Sequence, residues 1–413
     1  MAQRILTLRE CYEMAEVVSP LSAEKKLYGD IAHLRDINLE KRWLPSLDAG
    51  GQLVYNSEVV DFTGVMGALP LPGIDQLIKP LPHEQYKLTL DVNQMIYDGG
   101  SVKGARTLEK AGLAVQEKQN EADLYPLRAQ INSYYFNLLL LERQRELVLN
   151  YLGIIGKRLC TLEAAVANGM LLPSDIDVLT SEKIRLEQQL AENRIHSVSM
   201  LKALSSLTGS PMDTSVVLVL PPVGELLPQE LNRPELELFD LKKEQLAASL
   251  ELLQAGKRPK AFGFATLGYG NPPGNNFFKD EFAPFYIIGA GVKWNIFDWD
   301  KTRNEKQVVT LQQSLLEGRK EELTDHLTRA LDAQRAEIQS LEALLARDDE
   351  LIALRKRITA TAESQYANGT LTATEYLNEL NAEKQAMVNR EIHAISLVMA
   401  RVGYLNISGR EIE

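Results

Sequence analysis

Residues 167–175 read Ala167-Asn168-Gly169-Met170-Leu171-Leu172-Pro173-Ser174-Asp175. The stretch Ala367-Asn368-Gly369-Thr370-Leu371-Thr372-Ala373-Thr374-Glu375 opens on the same three residues two hundred positions later. Both triplets close a long helical pattern, where glycine after the last helical residue is the ordinary stop signal. Working outward at the same spacing, Gly209 recurs as Gly409, and Val92, Ile96, Tyr97 and Asp98 recur as Val292, Ile296, Phe297 and Asp298. Nearer the front, Pro20 matches Pro234 and Pro45 matches Pro259 at a longer spacing, so one insertion separates the copies between Pro45 and Asp98. The chain is an internal duplication.

Each copy has the same order of elements. The first, 1–209, has a helix from Pro20, strands about 45–56 and 85–97, a long helix about 99–168, and a helix about 173–208. Residues 210–233 link the copies, and Val216 to Leu220 is a candidate short strand. The second copy, 234–413, has a helix from Pro234, strands about 260–269 and 284–297, a long helix about 299–368, and a helix about 372–408. A short extra helix is expected within Ile5–Val18. Proline suits a first helical turn, because the N–H it lacks would be unpaired there.

The long helix of the first copy runs for about 105 Å at 1.5 Å per residue, far beyond a globular helix. Its apolar positions include Ile131, Tyr134, Leu138, Leu141, Val148, Leu152, Ile155, Leu159 and Leu162, a 3,4 spacing interrupted in chemistry only at Arg145. This is a heptad seam and predicts knobs-into-holes packing. Pro126 should kink or unwind it. The second copy starts the same way, but its seam turns polar at Asp348, Arg355 and Thr359. Either that half faces water, or it packs less tightly and can move.

The strands alternate. Leu88, Leu90 and Val92 oppose Lys87, Thr89 and Asp91; Tyr286, Ile288, Val292 and Trp294 oppose Gly289, Gly291 and Lys293. Each run is long enough to cross a bilayer when tilted. Four strands cannot close a barrel, and an open sheet with an apolar face is an aggregation hazard. Oligomerisation is the remedy, and strand arithmetic leaves eight strands from two chains or twelve from three.

Composition removes several classes. The 413 residues are 45% hydrophobic and 24% charged, which excludes disorder. No apolar run reaches membrane-helix length, which leaves a membrane β-barrel allowed. A net charge of −11 disfavours nucleic acid as a partner. Cys11 and Cys160 lie too far apart in sequence to form a disulfide framework or a metal site of known spacing. The chain opens without a charged-then-apolar leader, so it is either cytosolic or already processed. The five histidines have no nucleophile or ligand partner at a telling spacing, and Gly268-Tyr269-Gly270 lacks the Lys-Ser/Thr of a phosphate loop. No enzyme, metal or cofactor is expected.

The ordered set of motifs resembles the TolC family of outer membrane efflux proteins over nearly the whole chain, about Leu6 to Gly409. The residues that carry the resemblance are Leu6-Thr7-Leu8-Arg9-Glu10, Ser19-Pro20, Leu44-Pro45-Ser46-Leu47, Tyr97-Asp98-Gly99-Gly100, Phe297-Asp298 and the turns Gly169–Asp177 and Gly369–Asn378. The resemblance implies an α+β membrane protein, with a transmembrane β-barrel of twelve strands and a twelve-helix coiled-coil tunnel closed by a homotrimer. It also implies a removed signal peptide and residence in the outer membrane of a Gram-negative bacterium, reaching into the periplasm.

The resemblance further implies site residues. Acidic positions after the second turn would ring the pore gate; here they are Glu375 and Asn378, the second departing from the family pattern. Three Glu375 carboxylates around one axis would repel, raising their pKa; otherwise Glu375 is an ordinary helix-start carboxylate. Tyr366 matches a tyrosine tying the closed hairpin to its neighbours, with Asp175 as a partner candidate and Leu371 standing where a basic residue is usual. Gly169, Met170, Leu171, Gly369, Thr370 and Leu371 match the tips that meet a periplasmic adaptor, the three larger apolar side chains being expected exposed. The expected function is an outer membrane channel subunit of a tripartite efflux or type I secretion system, a passive duct powered by an inner-membrane pump. The alternative is a soluble coiled-coil scaffold or periplasmic assembly protein.

Overall fold

The structure is a computed structural model, and it describes residues 5–59, 81–167, 173–224, 230–276 and 279–412. In chain order the elements are β1 (Ile5–Leu6), α1 (Leu8–Val18), α2 (Pro20–Glu40), a short 3₁₀ turn, β2 (Ser46–Tyr55), β3 (Glu84–Tyr97), α3 (Ser101–Leu124), α4 (Pro126–Ala167) and α5 (Pro173–Thr208). Then come β4 (Val217–Leu218), α6 (Pro234–Ala255), β5 (Lys260–Asn271), β6 (Ala283–Lys293), α7 (Lys301–Ala367) and α8 (Ala373–Ser408). Prolines 20, 126, 173 and 234 each begin a helix. At Pro126 the expected kink is a full interruption: Tyr125 stands outside both helices, and its hydroxyl donates to the Asn406 carbonyl at 2.7 Å. The chain clusters into two compact units, each drawing on both halves of the sequence.

The first unit comprises Met1–Lys26, Gln116–Phe239 and Glu317–Glu413. Its start is fixed by a capping box, in which Thr7 Oγ1 accepts the Glu10 N–H and the Glu10 carboxylate accepts the Thr7 N–H at 2.8 Å. Helix α1 then buries Leu8, Cys11, Tyr12 and Ala15, one stripe at helical spacing, against α4 and α5. The linker strand β4 pairs in parallel with β1, and the buried Tyr135 hydroxyl sits 2.7 Å from the Val219 carbonyl at the end of that ladder. Helix α4 buries more than a seam. Ile131, Leu138, Val148, Ile155, Leu159 and Leu162 are buried as expected, but so are Tyr135, Leu139 and Tyr151, because α4 packs on both α5 and α8. Each such side chain contributes roughly 1.5–3 kcal/mol of burial free energy. Arg145 is exposed, so the seam is interrupted without burying a charge.

The second unit comprises Leu27–Val115 and Asp240–Leu316. Its four strands form one antiparallel sheet in the order β2-β3-β5-β6, leaving β2 and β6 as edges among the described residues. The aspartates that leave the sheet cap the next helices. Asp98 accepts the N–H groups of Gly100 and Val102 at 2.7 and 2.5 Å, and Asp298 accepts that of Thr302 at 3.1 Å. Gly99 and Gly100 between them take φ of 71° and 89°; in the second copy Trp299 and Asp300 take φ of 52° and 60° at the same places. The duplication extends to the backbone, with non-glycine residues carrying the left-handed turn. The last strand is shorter than its first-copy counterpart. It was expected over 284–297 but ends at Lys293, after which the Trp294 indole N–H donates to the Lys257 carbonyl at 3.0 Å.

Candidate functional site

The second turn is described in full; of the first, Gly169, Met170 and Leu171 lie outside the described residues. After α7, Gly369 takes φ of 72°, and the Thr370 N–H reaches back to the Gln365 carbonyl at 3.0 Å. Helix α8 then opens on a second capping box: Thr372 Oγ1 accepts the Glu375 N–H at 3.2 Å, and the Glu375 carboxylate accepts the Thr372 N–H at 3.0 Å. The Thr372 backbone N–H, then its hydroxyl, hold the Glu375 carboxyl below its ordinary range. In the single chain both nearest groups donate to the carboxylate and favour its charged form; the rise expected of three carboxylates around one axis belongs to the trimer. Asn378, one turn on, is exposed. Leu371, expected exposed, is half-buried, because the turn folds it onto the cluster beneath.

That cluster joins four helices. Tyr366 of α7 and Tyr376 of α8 are buried and stacked, and Arg158 of α4 lies over the Tyr376 ring at 5.8 Å while pairing with Glu363 of α7. Asp175, in the first turn of α5, is close enough to act on Tyr366. Burial first, and the Asp175 carboxylate second, hold the Tyr366 phenol above its ordinary range. The Tyr366 hydroxyl is buried and has no hydrogen-bond partner among the described residues. Asp175 therefore acts on Tyr366 through its charge and not through a hydrogen bond among the described residues. Sequence reasoning missed Arg158, the basic group that α4 contributes to this cluster.

Deeper in the same unit, Glu182 of α5 faces Lys384 of α8 at 3.7 Å, both buried, with Arg185 chelating Glu182 and reaching Asn381. Burial is the largest influence and raises the Glu182 pKa, but the hydrogen bonds and charges of Arg185 and Lys384 together outweigh it and the net shift is downward. Burial, then Arg185, pull Lys384 down. A signal for this pair exists in the sequence: Glu182 lies on the stripe Leu179-Glu182-Leu186, and Lys384 on Leu377-Leu380-Lys384, charges at positions where hydrocarbon is expected.

The polar seam of α7 does not face water. Asp348 and Thr359 are buried, and the seam closes on α8 through polar pairs: Asp348 with His393 at 2.6 Å, Asp349 with Arg390 at 2.8 Å, Arg355 with Glu379 at 3.3 Å. The α4–α5 hairpin is thus held mainly by hydrocarbon, whereas the α7–α8 hairpin joins hydrocarbon contacts at its two ends through a polar stretch of ion pairs. The two more exposed pairs, Asp349–Arg390 and Arg355–Glu379, contribute only ~0–1 kcal/mol each. An open groove of about 680 Å³ runs beside the second turn, lined by Leu354, Ile358, Gln365, Leu371, Glu375 and Glu379.

The sheet of the other unit has two unlike faces. Cross-strand register puts Leu47, Val92, Ala265 and Ile288 in one row and Leu53 and Tyr86 in another, all on one side. That side ends in aromatic groups. Phe282 lies against Tyr86 and Tyr269, with Tyr286 beside Leu267, at one end; Trp294 stands at the other. Many of these side chains are open: Tyr286, Ile288 and Val292 are 73–76% exposed. The opposite side carries Asp48, Asp91 and Thr266 in one row, with the Thr266 and Thr89 hydroxyls donating to Asp91.

Among the described residues, no helix is long and apolar enough to cross a membrane, and no group of three or more His, Cys, Asp or Glu is placed to hold a metal ion. Cys11 is buried and Cys160 exposed, with no disulfide between them.

Compared with solved structures, the chain shares the fold of outer membrane channels. A CusC structure, described in terms of transmembrane channel formation, superposes with a TM-score of 0.72 at 13% identity, covering 98% of this chain and 92% of that one. The outer membrane protein VceC of Vibrio cholerae gives 0.66 at 18% identity, covering 98% and 97%. The MtrE outer membrane channel of Neisseria gonorrhoeae, in its open state, gives 0.67 at 15% identity, covering 98% and 89%. The single-chain fold expected from the ordered motifs, long helices with a four-stranded sheet, is the one observed. No protein-family model and no curated protein sequence matches the chain.

Proposed function

We propose that three copies of this chain form a passive exit duct through the outer membrane of a Gram-negative bacterium. The observation that carries the reading is the sheet face. Its apolar rows are bounded by aromatic groups at both ends, and both sheet edges are left unpaired among the described residues. From Tyr286 to Trp294 is eight residues, which at ~3.3 Å each and a tilt of about 40° gives roughly 20 Å of height, near that of the apolar band of an outer membrane barrel. Edge β6 of one copy pairs with edge β2 of the next, and twelve strands close the barrel. The helices continue the duct into the periplasm.

In this reading the second turn is the gate. Glu375 and Asn378 ring the axis, and Tyr366, with Asp175 as its candidate partner, holds the α7–α8 hairpin shut until its ion pairs exchange. Leu171 and Leu371 meet a periplasmic adaptor that couples the duct to an inner-membrane pump, in tripartite efflux or type I secretion. The polar pairing of α7 with α8 supports mobility there, and the hydrocarbon packing of α4 with α5 supports a fixed frame.

The deciding experiment is the protein mass in mild detergent by light scattering, followed by planar-bilayer recording. A mass of three 46.2 kDa chains with discrete conductance steps is expected. A monodisperse monomer, soluble without detergent and electrically silent, would leave a soluble scaffold as the better account.

A further inference from the structure

The polar face of the sheet is not uniformly polar. On the β5–β6 half, register gives the ladder Lys260↔Lys293, Phe262↔Gly291, Phe264↔Gly289, Thr266↔Ile287 and Gly268↔Phe285, all on that one side. Every phenyl ring lies over a glycine of the neighbouring strand. A Cβ on Gly291 would come within 2.7 Å of the Phe262 ring, and one on Gly289 or Gly268 would collide with Phe264 or Phe285. Bare backbone under an aromatic ring lets the ring lie flat against the wall. Phe262 and Phe264 are 6.4 Å apart between centroids, and all three rings are only half-buried.

Lysines bracket the rings. Lys260 and Lys293 are directly opposed at one end, and Lys87 of β3, paired with Gly270, lies over Phe285 at 5.5 Å near the other. None of the three makes an ion pair among the described residues. The carboxylates of this face, Asp48 and Asp91, stand opposite each other across β2 and β3. Directly opposed like charges destabilise a sheet. The pair Lys260/Lys293 therefore carries a cost that an anion between them would relieve.

We infer that the β5–β6 wall is a track for small organic anions with an aromatic or apolar body, the anionic group engaging a lysine and the body lying on the phenyl rings. The inference rests on the channel reading, in which this face lines the lumen, and names the substrate class of that channel. The alkyl stems and rings supply dispersion, and the ammonium groups supply the charge complement.

The test is block of the potassium chloride current of the reconstituted protein by three probes: 1-naphthalenesulfonate, methanesulfonate and 1-naphthylmethylammonium. Naphthalenesulfonate is expected to block at a concentration about tenfold or more below either of the others. Lys260→Gln with Lys293→Gln should weaken that block about tenfold while the open-channel current persists. Phe262→Leu with Phe264→Leu should bring the two sulfonates together. Equal block by the two sulfonates in the native protein overturns the inference, as does stronger block by the ammonium probe or indifference to both double variants. If the variants do not insert, the comparison of probes on the native protein decides alone. Current without ring discrimination removes only this inference; absence of any current removes the channel reading and this one with it.

Discussion

Tyr366 and Tyr376 lie face to face, ring centroids 5.4 Å apart and planes 4° from parallel. One ring ends α7 and the other begins α8, so the turn between them is clamped by hydrocarbon as well as by its glycine. Tyr376→Ala removes a buried ring from the four-helix cluster and should cost about 3–5 kcal/mol. Tyr366→Phe removes only a hydroxyl that has no partner among the described residues, and should cost less than about 1 kcal/mol. Chemical denaturation of both variants checks this. A larger loss for Tyr366→Phe would mean that its hydroxyl is hydrogen-bonded.

The buried pair Glu182–Lys384 should respond asymmetrically. Glu182→Gln leaves Lys384 and Arg185 facing each other without a counter-charge and should destabilise by about 3–5 kcal/mol. Lys384→Met leaves Glu182 paired with Arg185 and should cost much less. The pH dependence follows in sign. The folded Lys384 pKa is depressed, so the unfolded chain holds more protons in the window below the ordinary lysine value, and stability rises with pH through it. Lys384→Met should flatten that slope in urea titrations run with pH rising to about 10.5, the ordinary lysine value.

At the second capping box, the Glu375 pKa is lowered, so its stabilisation is present above the ordinary carboxylate value and is lost as pH falls through the lowered one. Hydrogen-exchange protection factors in the first turn of α8, taken relative to the intrinsic rate at each pH, should therefore fall only in acid. Thr372→Ala, which should cost about 1 kcal/mol as a lost cap, should lower them at neutral pH too. Protection unchanged in the variant would dismiss the box as a restraint on the turn.

Neighbouring residues on β6 should behave oppositely. Ile288→Lys places a charge on the apolar face and should cost about 2–4 kcal/mol of insertion free energy near the membrane centre. Ile287→Lys faces the other way and should insert almost normally. Folding yield into lipid vesicles measures both. Equal yields would contradict the assignment of the two faces.

Asp300 holds a left-handed backbone that Gly100 holds in the first copy. Asp300→Gly should stabilise by about 1 kcal/mol, because glycine meets no Cβ penalty there. A fall in thermal midpoint would mean that the side chain has a role beyond the turn.

Much of the architecture was legible because it rests on periodicity. The 3,4 spacing from Ile131 to Leu162 marks a buried helix face, the alternation from Lys87 to Val92 marks a two-faced strand, and prolines and glycines punctuate both. The repeated Ala-Asn-Gly turn placed Tyr366, Asp175 and Glu375 near helix ends, and helix ends are where the structure puts them. Local chemistry was enough for these features, since each depends on residues three, four or two apart.

Contacts between distant segments were not legible. Arg158 reaches Tyr376, Lys384 reaches Glu182, and Phe264 covers Gly289 only once helices and strands are registered against each other. The direction of the Glu375 shift depended on a capping box closing, and the burial of Asp348 on a histidine forty-five residues away. The sequence by itself determined which elements form and which of their faces is apolar, because those follow from the period of the backbone. The tertiary structure decided which charges are paired and which rings are covered, because pairing and cover depend on register between segments that the period leaves free.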